Sequence, residues 1–449
     1  MHIIVVGGGE IGFALAQALS TRDHEVFVID HLPEVGARFE PLDVQFIVGT
    51  GTSGDTLERA GPLDAGVLVA CTGLDEVNIM SCAIARQRGR PTTFCFVSRE
   101  DFIELEDEKA LGSFGIDHLI WPEAQLAADI ERIVGVPGAL DAEAFADGAV
   151  RLVEYRLEPG SPLVDRRIAD LHLPPSALIV AVRRGDTLFI PRGARRLEAN
   201  DRAVVIGTPE ALQDVRSRLM LAADAARQRV TIIGGGDVGL HLAERLERIG
   251  AFDLVVIERS QARGEILAAR LRHTLVLNGD GTDLELLESE DIARSDVLVS
   301  VIDNDERNLF ASLLGRQLGI PRIITRVGRH ANVRLFERVG IDVAISARAA
   351  AVASVLHQIG GGSTRLLAVI EQGAGRVLEL DVPDGYTARP LRDLAAPLNS
   401  IVGAIVRGGH VLVPRGADSV QPGDRLIVFT TYADAQRVRD YFTSMDAAR

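Results

Sequence analysis

The chain opens with HIIVVGGGEIG, residues 2–12, in which an apolar run breaks into glycines and then into a helical pattern. A second copy, VTIIGGGDVG, lies at residues 230–239 of the 449-residue chain. Both copies fit the spacing G-x-G-x-x-G. This spacing places a tight turn after a buried strand and brings backbone N–H groups and a helix N-terminus up to a pyrophosphate. The repetition predicts an internal duplication.

Each glycine turn is followed by an apolar strand that ends in an acid, as VFVID at residues 26–30 and LVVIE at residues 254–258. A carboxylate about 20 residues beyond the glycines is where a dinucleotide-binding fold holds a ribose diol. Asp30 and Glu258 therefore favour a nucleotide site over glycines that serve packing alone, although Asp30 could instead cap the next segment. They also favour NAD over NADP, because a carboxylate repels a 2′-phosphate. Arg259, next to Glu258, makes the preference for NAD over NADP weaker in the second copy.

The composition is that of a globular protein, with 47% hydrophobic and 25% charged residues. The length suggests three or four domains of about 100–200 residues each. The longest apolar runs fall far below the roughly 18 residues that a membrane span needs. A net charge of −15 makes nucleic acid and anionic membrane surfaces poor partners, since phosphate binding relies on clustered Lys and Arg.

The N-terminus enters the first strand directly, without a basic region or cleavage site, which favours a cytoplasmic location without a signal peptide. Three cysteines, Cys71, Cys82 and Cys95, lack CxxC or zinc-type spacing. We therefore expect buried free thiols, with neither a disulfide framework nor a metal site.

Short apolar strands alternate with amphipathic segments through residues 1–133, which is the pattern of βαβ units in a parallel sheet. A helix is predicted over residues 76–88 with Asp75 as its N-cap, and another begins at Pro122 and runs toward Val134. The predicted strands lie near residues 2–6, 25–29, 44–48, 66–71, 92–97 and 117–120.

A different pattern begins near Val150 and predicts a small α+β domain of about 70 residues. Its predicted elements are a helix at residues 163–171 and strands at residues 152–155, 177–182, 187–191 and 203–206. Residues 216–229 are interpreted as a helical linker. The same order then repeats in the second half of the chain. The predicted fold class is α/β, with two Rossmann-like doubly wound parallel-sheet domains (1–135 and 228–355), each followed by a small α+β domain (140–221 and 364–449).

Further turns lie where a Rossmann fold binds its ligand. Those at residues 49–51 and 279–281 follow strand three, near the expected adenine edge, although a simple strand break explains them equally well. Thr72-Gly73 and Asp303-Asn304 follow strand four, close to the point where the strand order reverses. Helix-dipole stabilisation explains the acids that open the next helices, at residues 75–76 and 305–306.

No catalytic group emerges from the sequence. A dehydrogenase needs a substrate domain that presents an acid–base residue, commonly His or Lys, to the nicotinamide. The charged residues of the small domains lie at helical spacing and are interpreted as solvated faces, and His172 and His410 lack a partnering Cys, Ser or carboxylate pattern. We therefore expect that the chain is not an enzyme. The alternative is an NAD-dependent oxidoreductase with duplicated Rossmann domains.

The domain order and the repeated motifs resemble the tandem RCK/KTN family, and within it the regulatory subunits of Trk-type potassium uptake systems. The motifs are GGGEIG, VID, VGTG, LDEVN and IWPE in the first half, and GGGDVG, VIE, NGDGTD and NDERN in the second. The resemblance covers essentially the full length. It implies that the chain binds NAD(H), or ATP/ADP, and catalyses no reaction.

The same resemblance implies a homo-oligomeric ring, a tetramer of two-unit chains, that changes shape on ligand binding. The ring would gate an integral membrane potassium-translocating subunit of the TrkH/TrkG type. The chain would then be a peripheral protein on the inner face of the cell membrane.

The resemblance also assigns two nucleotide sites by matching positions. The first site comprises Gly7, Gly8, Gly9, Glu10, Ile11, Gly12, Asp30, Gly51, Thr52, Thr72, Gly73 and Glu123. The second site comprises Gly234, Gly235, Gly236, Asp237, Val238, Gly239, Glu258, Gly279, Asp280, Asp303 and Arg326.

Two departures from the family pattern separate the sites. Family members usually carry a phosphate-binding arginine on strand five; the second half has Arg326 there, but the first half has Phe96. Conversely, the first half has Glu123 where the second has Arg348. We expect unequal ligand preferences, with weaker phosphate binding at the first site.

Overall fold

The computed structural model describes two compact units, one built from residues 1–128 and 229–359 and the other from residues 129–228 and 360–449. The structure describes residues 1–20, 24–64, 66–99, 108–136, 138–146, 148–185, 187–219, 227–329, 332–359, 364–370, 375–394, 396–397 and 399–443.

The first half contributes a six-stranded sheet to the first unit, in the order β3-β2-β1-β4-β5-β6 with parallel pairing throughout. Its strands are β1 (His2–Val6), β2 (Glu25–Asp30), β3 (Gln45–Val48), β4 (Val67–Ala70), β5 (Thr92–Phe96) and β6 (His118–Ile120). Its helices are α1 (Glu10–Ser20), α2 (Gly54–Arg59), α3 (Asp75–Arg88), α4 (Glu108–Ser113) and α5 (Pro122–Val134). The strands predicted from the sequence are confirmed to within about two residues, the usual uncertainty of element ends.

Both faces of the first sheet are buried, which explains its nearly continuous apolar strands. Ile3 and Val5 lie in one core cluster, whereas Ile4 and Val6 lie in another. Successive side chains of a strand point to opposite faces, so β1 supplies both cores. Because β1 lies between β2 and β4, the strand order reverses there, and loops at the carboxyl ends open a crevice.

The second half contributes an equivalent sheet, in the order β14-β13-β12-β15-β16-β17. Pairing is parallel between β13 and β14 and from β12 through β15 and β16 to β17. Its strands are β12 (Gln228–Ile233), β13 (Phe252–Glu258), β14 (Leu275–Asn278), β15 (Val297–Ser300), β16 (Arg322–Arg326) and β17 (Val343–Ile345). Its helices are α7 (Asp237–Ile249), α8 (Gln261–Arg270), α9 (Leu284–Ser289), α10 (Asp305–Gln317), α11 (Val333–Arg338) and α12 (Ala347–Ile359). The duplication is confirmed.

Helix α12 belongs to the second half by sequence but packs into the core of the first. Ala351, Val355 and Leu356 are at most 4% exposed and share a core cluster with Leu15 and Leu19 of α1. In the other direction, the Trp121 ring, just before α5, makes an edge contact with the His241 ring on α7, with centroids 4.3 Å apart. The segments that follow the two sixth strands therefore each contact the other half, which the sequence did not reveal.

The second unit contains the two small domains. The first small sheet has the order β10-β9-β11-β8-β7 and the second β18-β19-β24-β21-β22, each with antiparallel pairing, beside a two-stranded β20-β23 sheet. The first comprises β7 (Ala139–Phe145), β8 (Val150–Arg156), β9 (Ala177–Arg184), β10 (Thr187–Phe189), β11 (Arg202–Gly207) and α6 (Pro209–Leu219). The second comprises β18 (Thr364–Ile370), β19 (Gly375–Asp381), β20 (Arg389–Pro390), β21 (Ser400–Arg407), β22 (His410–Leu412), β23 (Ser419–Val420), β24 (Arg425–Thr431) and α13 (Ala435–Thr443).

A shared core joins the two small sheets, with Val180 and Ile206 of the first and Ala404 and Phe429 of the second in one buried cluster. Repeated ion pairs stabilise the strand ends: Arg184 contacts the buried Asp201, and Arg407 contacts the buried Asp424.

Three predictions about the small domain and its linker need correction. The helix predicted at 163–171 is wrong, since the helical part is a single 3₁₀ turn, Ile168–Asp170. The helical linker predicted at 216–229 is helical only to Leu219, where α6 ends; residues 220–226 lie outside the described residues, and β12 begins at Gln228. Strand β7 was missed. Within the described chain, no helix is long and apolar enough to span a membrane.

Candidate functional site

Both glycine turns adopt backbone geometry that glycine alone accommodates. Gly7 has φ +112° and Gly234 has φ +105°, a region that side chains rarely enter. A Cβ on Gly12 would lie 1.8 Å from the Gly7 carbonyl oxygen, and one on Gly239 would lie 1.9 Å from that of Gly234. The first and last glycines of each motif therefore hold the helix start close against the turn.

The third glycine of each triplet faces open space. A Cβ built on Gly9 or on Gly236 meets no atom of the described residues within 4 Å, unlike the other motif glycines. The backbone is therefore accessible from that side, as a pyrophosphate at a helix N-terminus requires. On this observation, both turns fit the phosphate group of a nucleotide.

Each predicted diol acid is tied to its glycine turn. Asp30 Oδ2 accepts a hydrogen bond from Gly8 N at 2.6 Å, and Glu258 Oε2 accepts one from Gly235 N at 2.7 Å. The second oxygen of each carboxylate accepts the amide two residues further on, at 2.9 and 2.7 Å respectively. Asp30 does not cap the 3₁₀ helix Pro33–Arg38, since the cap position is occupied by Leu32 without a side-chain cap hydrogen bond. A carboxylate oxygen has more than one acceptor site, so these contacts leave capacity for a ribose hydroxyl.

A cavity of about 520 Å³ lies at the carboxyl ends of the second sheet. Its lining includes Gly234, Gly236, Glu258, Gly279 and Arg326, which the sequence assigned to one site. Asp237, Val238 and Asp303 of the same prediction also line it. The structure therefore brings most of the predicted second site together around one space.

The first site is less concentrated. A cavity of about 350 Å³ is lined by Ile11, Thr72, Gly73 and Phe96 of the first half, together with residues of the second half. The described residues of this lining leave out Asp30 and the glycine triplet. Gly51 is buried and Thr52 contacts the Thr50 hydroxyl at 2.9 Å, so both lie in the turn after β3.

Two asparagines that the sequence analysis left unassigned fix the loops after strand four. Asn78 accepts a hydrogen bond from Thr72 N at 2.8 Å and donates to the Phe96 carbonyl at 2.9 Å. Asn308 accepts from the amide of residue 302 at 2.8 Å and donates to the Arg326 carbonyl at 3.1 Å. The signal was present in the sequence, because LDEVN and NDERN end in the same residue.

The acids that open α3 and α10 do more than the helix dipole requires. Asp75 was predicted as an N-cap, but the cap position is occupied by Leu74 and Asp75 is buried within the first turn. Its carboxylate accepts the amides of Ser98 and Arg99 at 2.9–3.1 Å. Asp305 likewise accepts the amide of residue 328 at 2.6 Å. The N-cap prediction is wrong, because the loop after β5 offers amides that compete for this carboxylate.

Three arginines of the second site have apolar counterparts in the first. Arg263 donates to Asp237 Oδ1 at 2.8 Å, Arg307 to both oxygens of Asp280 at 2.7 and 2.8 Å, and Arg326 to Asp303 at 2.9 Å. All three arginines line the larger cavity. The corresponding residues of the first half are Val35, Val77 and Phe96. The sites thus differ at three arginines, each paired with an acid, and not at the Phe96 position alone.

Asp280 is held as an anion by its surroundings. Burial alone would raise its pKa, but hydrogen bonds from Thr282 and Arg307 outweigh that effect and lower the pKa below the ordinary value. Since Arg307 neutralises it, Asp280 positions this arginine at the edge of the cavity.

Glu123, assigned by sequence to the first site, lines both cavities. Burial raises the pKa of this carboxyl group. A hydrogen bond from its own backbone N–H and the charge of Arg326 lower the pKa, whereas the charges of Asp237 and Asp303 raise it further. Its Oε2 is buried and makes no hydrogen bond to any residue that the structure describes. Helix α5 therefore carries an incompletely satisfied carboxyl group of the first half into the second site.

Arg348 occupies the matching position in the second half. It lies in the first turn of α12, pairs with Glu10 at the start of α1, and lines the smaller cavity beside Thr72. The two matching positions thus place a carboxyl group at both cavities and a guanidinium group at the smaller one.

The buried thiols agree with the sequence prediction. Cys71, Cys82 and Cys95 are free and buried. Cys71 lies with its Sγ 3.8 Å from the Gly7 carbonyl oxygen, and burial, with a smaller effect of Asp30, raises its pKa to about 12. Among the residues the structure describes, no group of three or more His, Cys, Asp or Glu side chains could hold a metal ion.

Comparison with known families accounts for the whole arrangement. The TrkA-N domain model matches residues 3–122 and 230–347, and the TrkA-C domain model matches residues 152–220 and 378–443. The chain belongs to the TrkA family. The TrkA-N segments contain the two parallel sheets, and the TrkA-C segments contain most of the antiparallel sheets. The resemblance inferred from the motifs is confirmed.

Full-length relatives support the TrkA assignment. The Trk system potassium uptake protein TrkA homolog 1 of Methanosarcina mazei is 37% identical over 98% of this chain and 100% of its own length. The Trk system potassium uptake protein TrkA of Halomonas elongata is 32% identical over 98% of this chain and 97% of its own length. The solved structure of the GsuK channel bound to NAD has a TM-score of 0.59 at 19% identity, covering 99% of this chain and 79% of that one. That likeness is one of fold.

Proposed function

We propose that this chain is the nucleotide-binding regulatory subunit of a potassium uptake system. The observation that carries the proposal is the duplicated glycine turn, open at Gly9 and at Gly236 and tied to an acid in each half, in a member of the TrkA family. The names of the relatives supply potassium uptake as the process.

The proposed ligands are NAD(H), with ATP or ADP as the alternative. The glycine turns would hold the phosphates, and Asp30 and Glu258 would hold a ribose diol. At the second site, Arg263, Arg307 and Arg326 line the cavity and would balance phosphate charge. The TrkA-N family and the NAD-bound structure of a protein of similar fold support this choice of ligand.

We propose a regulatory mechanism without catalysis. A ligand shifts an equilibrium between two arrangements of the halves only by its different affinity for each, and about 1–3 kcal/mol of coupling is typical. The segments that follow the two sixth strands give such a shift a physical route, because each site includes a residue from the other half. The described residues that line the two cavities include no histidine or lysine that could act as the acid–base group of a dehydrogenase.

The chain would form a homo-oligomeric ring, a tetramer of two-unit chains, on the inner face of the membrane beneath a potassium-translocating subunit of the TrkH/TrkG type. The four-domain division at 1–135, 140–221, 228–355 and 364–449 is part of the same proposal.

The experiment combines binding and turnover. The purified full chain is titrated with NAD, NADH, ATP and ADP, and NADH absorbance is followed over hours in the presence of candidate oxidants. Saturable binding with constant NADH absorbance supports a regulatory site, whereas steady consumption of NADH would point to an oxidoreductase. Retention of a potassium-translocating membrane protein by the immobilised chain from detergent extract tests the partner.

A further inference from the structure

The first site lacks a cation of its own on strand five. Phe96 is 4% exposed, and its carbonyl accepts the Asn78 side chain just as the Arg326 carbonyl accepts Asn308. The two positions are therefore equivalent in the fold, and the apolar side chain at the first cannot meet a phosphate. The acids of the first site, Glu10 and Asp30, would leave it unfavourable for a polyanion.

Two arginines of the other half line the cavity at this place, Arg326, which is already paired with Asp303 at 2.9 Å, and Arg348. Arg348 in the first turn of α12 forms an ion pair with Glu10 in the first turn of α1. It also lines the cavity that includes Ile11, Thr72 and Gly73. With Glu123, four of the residues assigned to the first site therefore share a space with Arg348.

The position of Arg348 is fixed by packing, while its side chain stays available. The same helix buries Ala351, Val355 and Leu356 in the core of the first half, which anchors the helix start beside α1. The side chains of Arg348 and Glu10 are 49% and 50% exposed. A half-exposed ion pair of this kind is weak, because water screens it. A phosphate, with more charge and two oxygens for the guanidinium fork, can replace the carboxylate.

We infer that Arg348, supplied by the second half, is the phosphate-binding cation of the first nucleotide site. Glu10 holds this arginine in the ligand-free protein and releases it when a diphosphate binds. The inference rests on the proposed function, since it concerns the ligand of the proposed first site. It supplies a cation to the site at which weaker phosphate binding is expected, and it makes each half necessary to the site of the other.

The test isolates the first site in the full chain. A Leu at Gly236 meets open space and a negative φ of −63°, so Gly236→Leu fills the second site without backbone strain. In that background, calorimetry measures ADP and adenosine, which differ by the two phosphates. Arg348→Ala should weaken ADP binding about tenfold or more and leave adenosine unchanged, as expected for a charge-assisted contact to phosphate. Glu10→Gln should strengthen ADP binding several-fold, because it frees the arginine.

The control is Arg294→Ala, which removes a 74% exposed arginine that pairs only locally, at 3.7 Å from Asp291. It should leave both ligands unaffected. Equal losses of ADP and adenosine in Arg348→Ala would mean a structural role and overturn the inference, as would unchanged ADP binding. If the Gly236→Leu parent binds neither ligand while it retains its thermal transition, the proposed first site itself fails, and the inference fails with it.

Discussion

Phe96 and Arg326 occupy one position in two copies of the same fold. Each ends the fifth strand of its sheet, and the carbonyl of each accepts a hydrogen bond from an asparagine side chain, at 2.9 and 3.1 Å respectively. Their side chains differ in what they offer a ligand, since one is a buried apolar ring and the other a guanidinium in the lining of a cavity. The duplicated sites thus share a scaffold but differ in charge.

The second site should bind ADP less tightly, relative to adenosine, when one of its arginines is replaced by the matching residue of the first half. Arg263→Val removes a cation that contacts Asp237 at 2.8 Å and copies Val35. In a Gly9→Leu background, which fills the first site, ADP affinity should fall about five- to tenfold, with adenosine nearly unchanged. Calorimetry with both ligands checks this. An unaltered ratio of ADP to adenosine affinity would argue against a phosphate role for Arg263.

Binding at the second site should take up a proton through Glu123. Burial raises the pKa of this carboxyl, with Arg326 opposing and Asp237 and Asp303 reinforcing the shift. The folded chain therefore binds this proton more tightly than the unfolded chain, so its stabilising effect is present at low pH and is lost as the pH rises through the raised pKa. A pyrophosphate bound near Glu123 would raise the pKa of this carboxyl group further, so that it takes up a proton when the ligand binds.

The corresponding measurement uses NAD, whose pyrophosphate diester does not titrate between about pH 5 and pH 8. In the Gly9→Leu background, NAD affinity should rise as the pH falls toward the pKa of Glu123, and the binding heat should depend on the buffer. Glu123→Gln should remove both effects. If the buffer dependence persists in Glu123→Gln, another group carries the proton.

Helix α12 should contribute to the stability of the first half although it belongs to the second. Leu356 is 4% exposed in the core that contains Leu15 and Leu19. Leu356→Ala should therefore lower the free energy of unfolding by about 2–5 kcal/mol. Hydrogen exchange of α1 and a thermal scan check this. Gln358→Ala on the exposed side of the same helix is the control and should change little. Unaltered protection of α1 in Leu356→Ala would contradict this packing.

Cys71 should resist alkylation in the folded protein. Its pKa of about 12 leaves almost no thiolate near pH 8, and the thiol is buried against the Gly7 carbonyl. Iodoacetamide followed by mass spectrometry should label Cys71 only after denaturation. Rapid native labelling would show that the first glycine turn opens more readily than this packing allows.

The sequence was sufficient for the elements that local patterns determine. The glycine spacing, the acids at the ends of the second strands and the alternating apolar runs predicted both parallel sheets, because they depend on backbone geometry and burial. Asp75 was misjudged because its partners, the amides of Ser98 and Arg99, lie on a different loop. No periodicity in α12 reveals which half it packs against, so the contact between Arg348 and Glu10 needed the structure. The arginines Arg263 and Arg307 were visible as residues, but only the fold places them at one cavity.

If one chain carries two separate nucleotide sites, calorimetry of the native full chain, of Gly9→Leu, of Gly236→Leu and of the double variant will resolve them. Both substitutions fill space that is open in the structure, so folding should be retained. We predict that the native chain binds one nucleotide at each site, that each single variant loses one of the two binding events, and that the double variant binds none. Undiminished binding by the folded double variant, or no nucleotide binding by the native chain, would show that the glycine turns are not nucleotide sites.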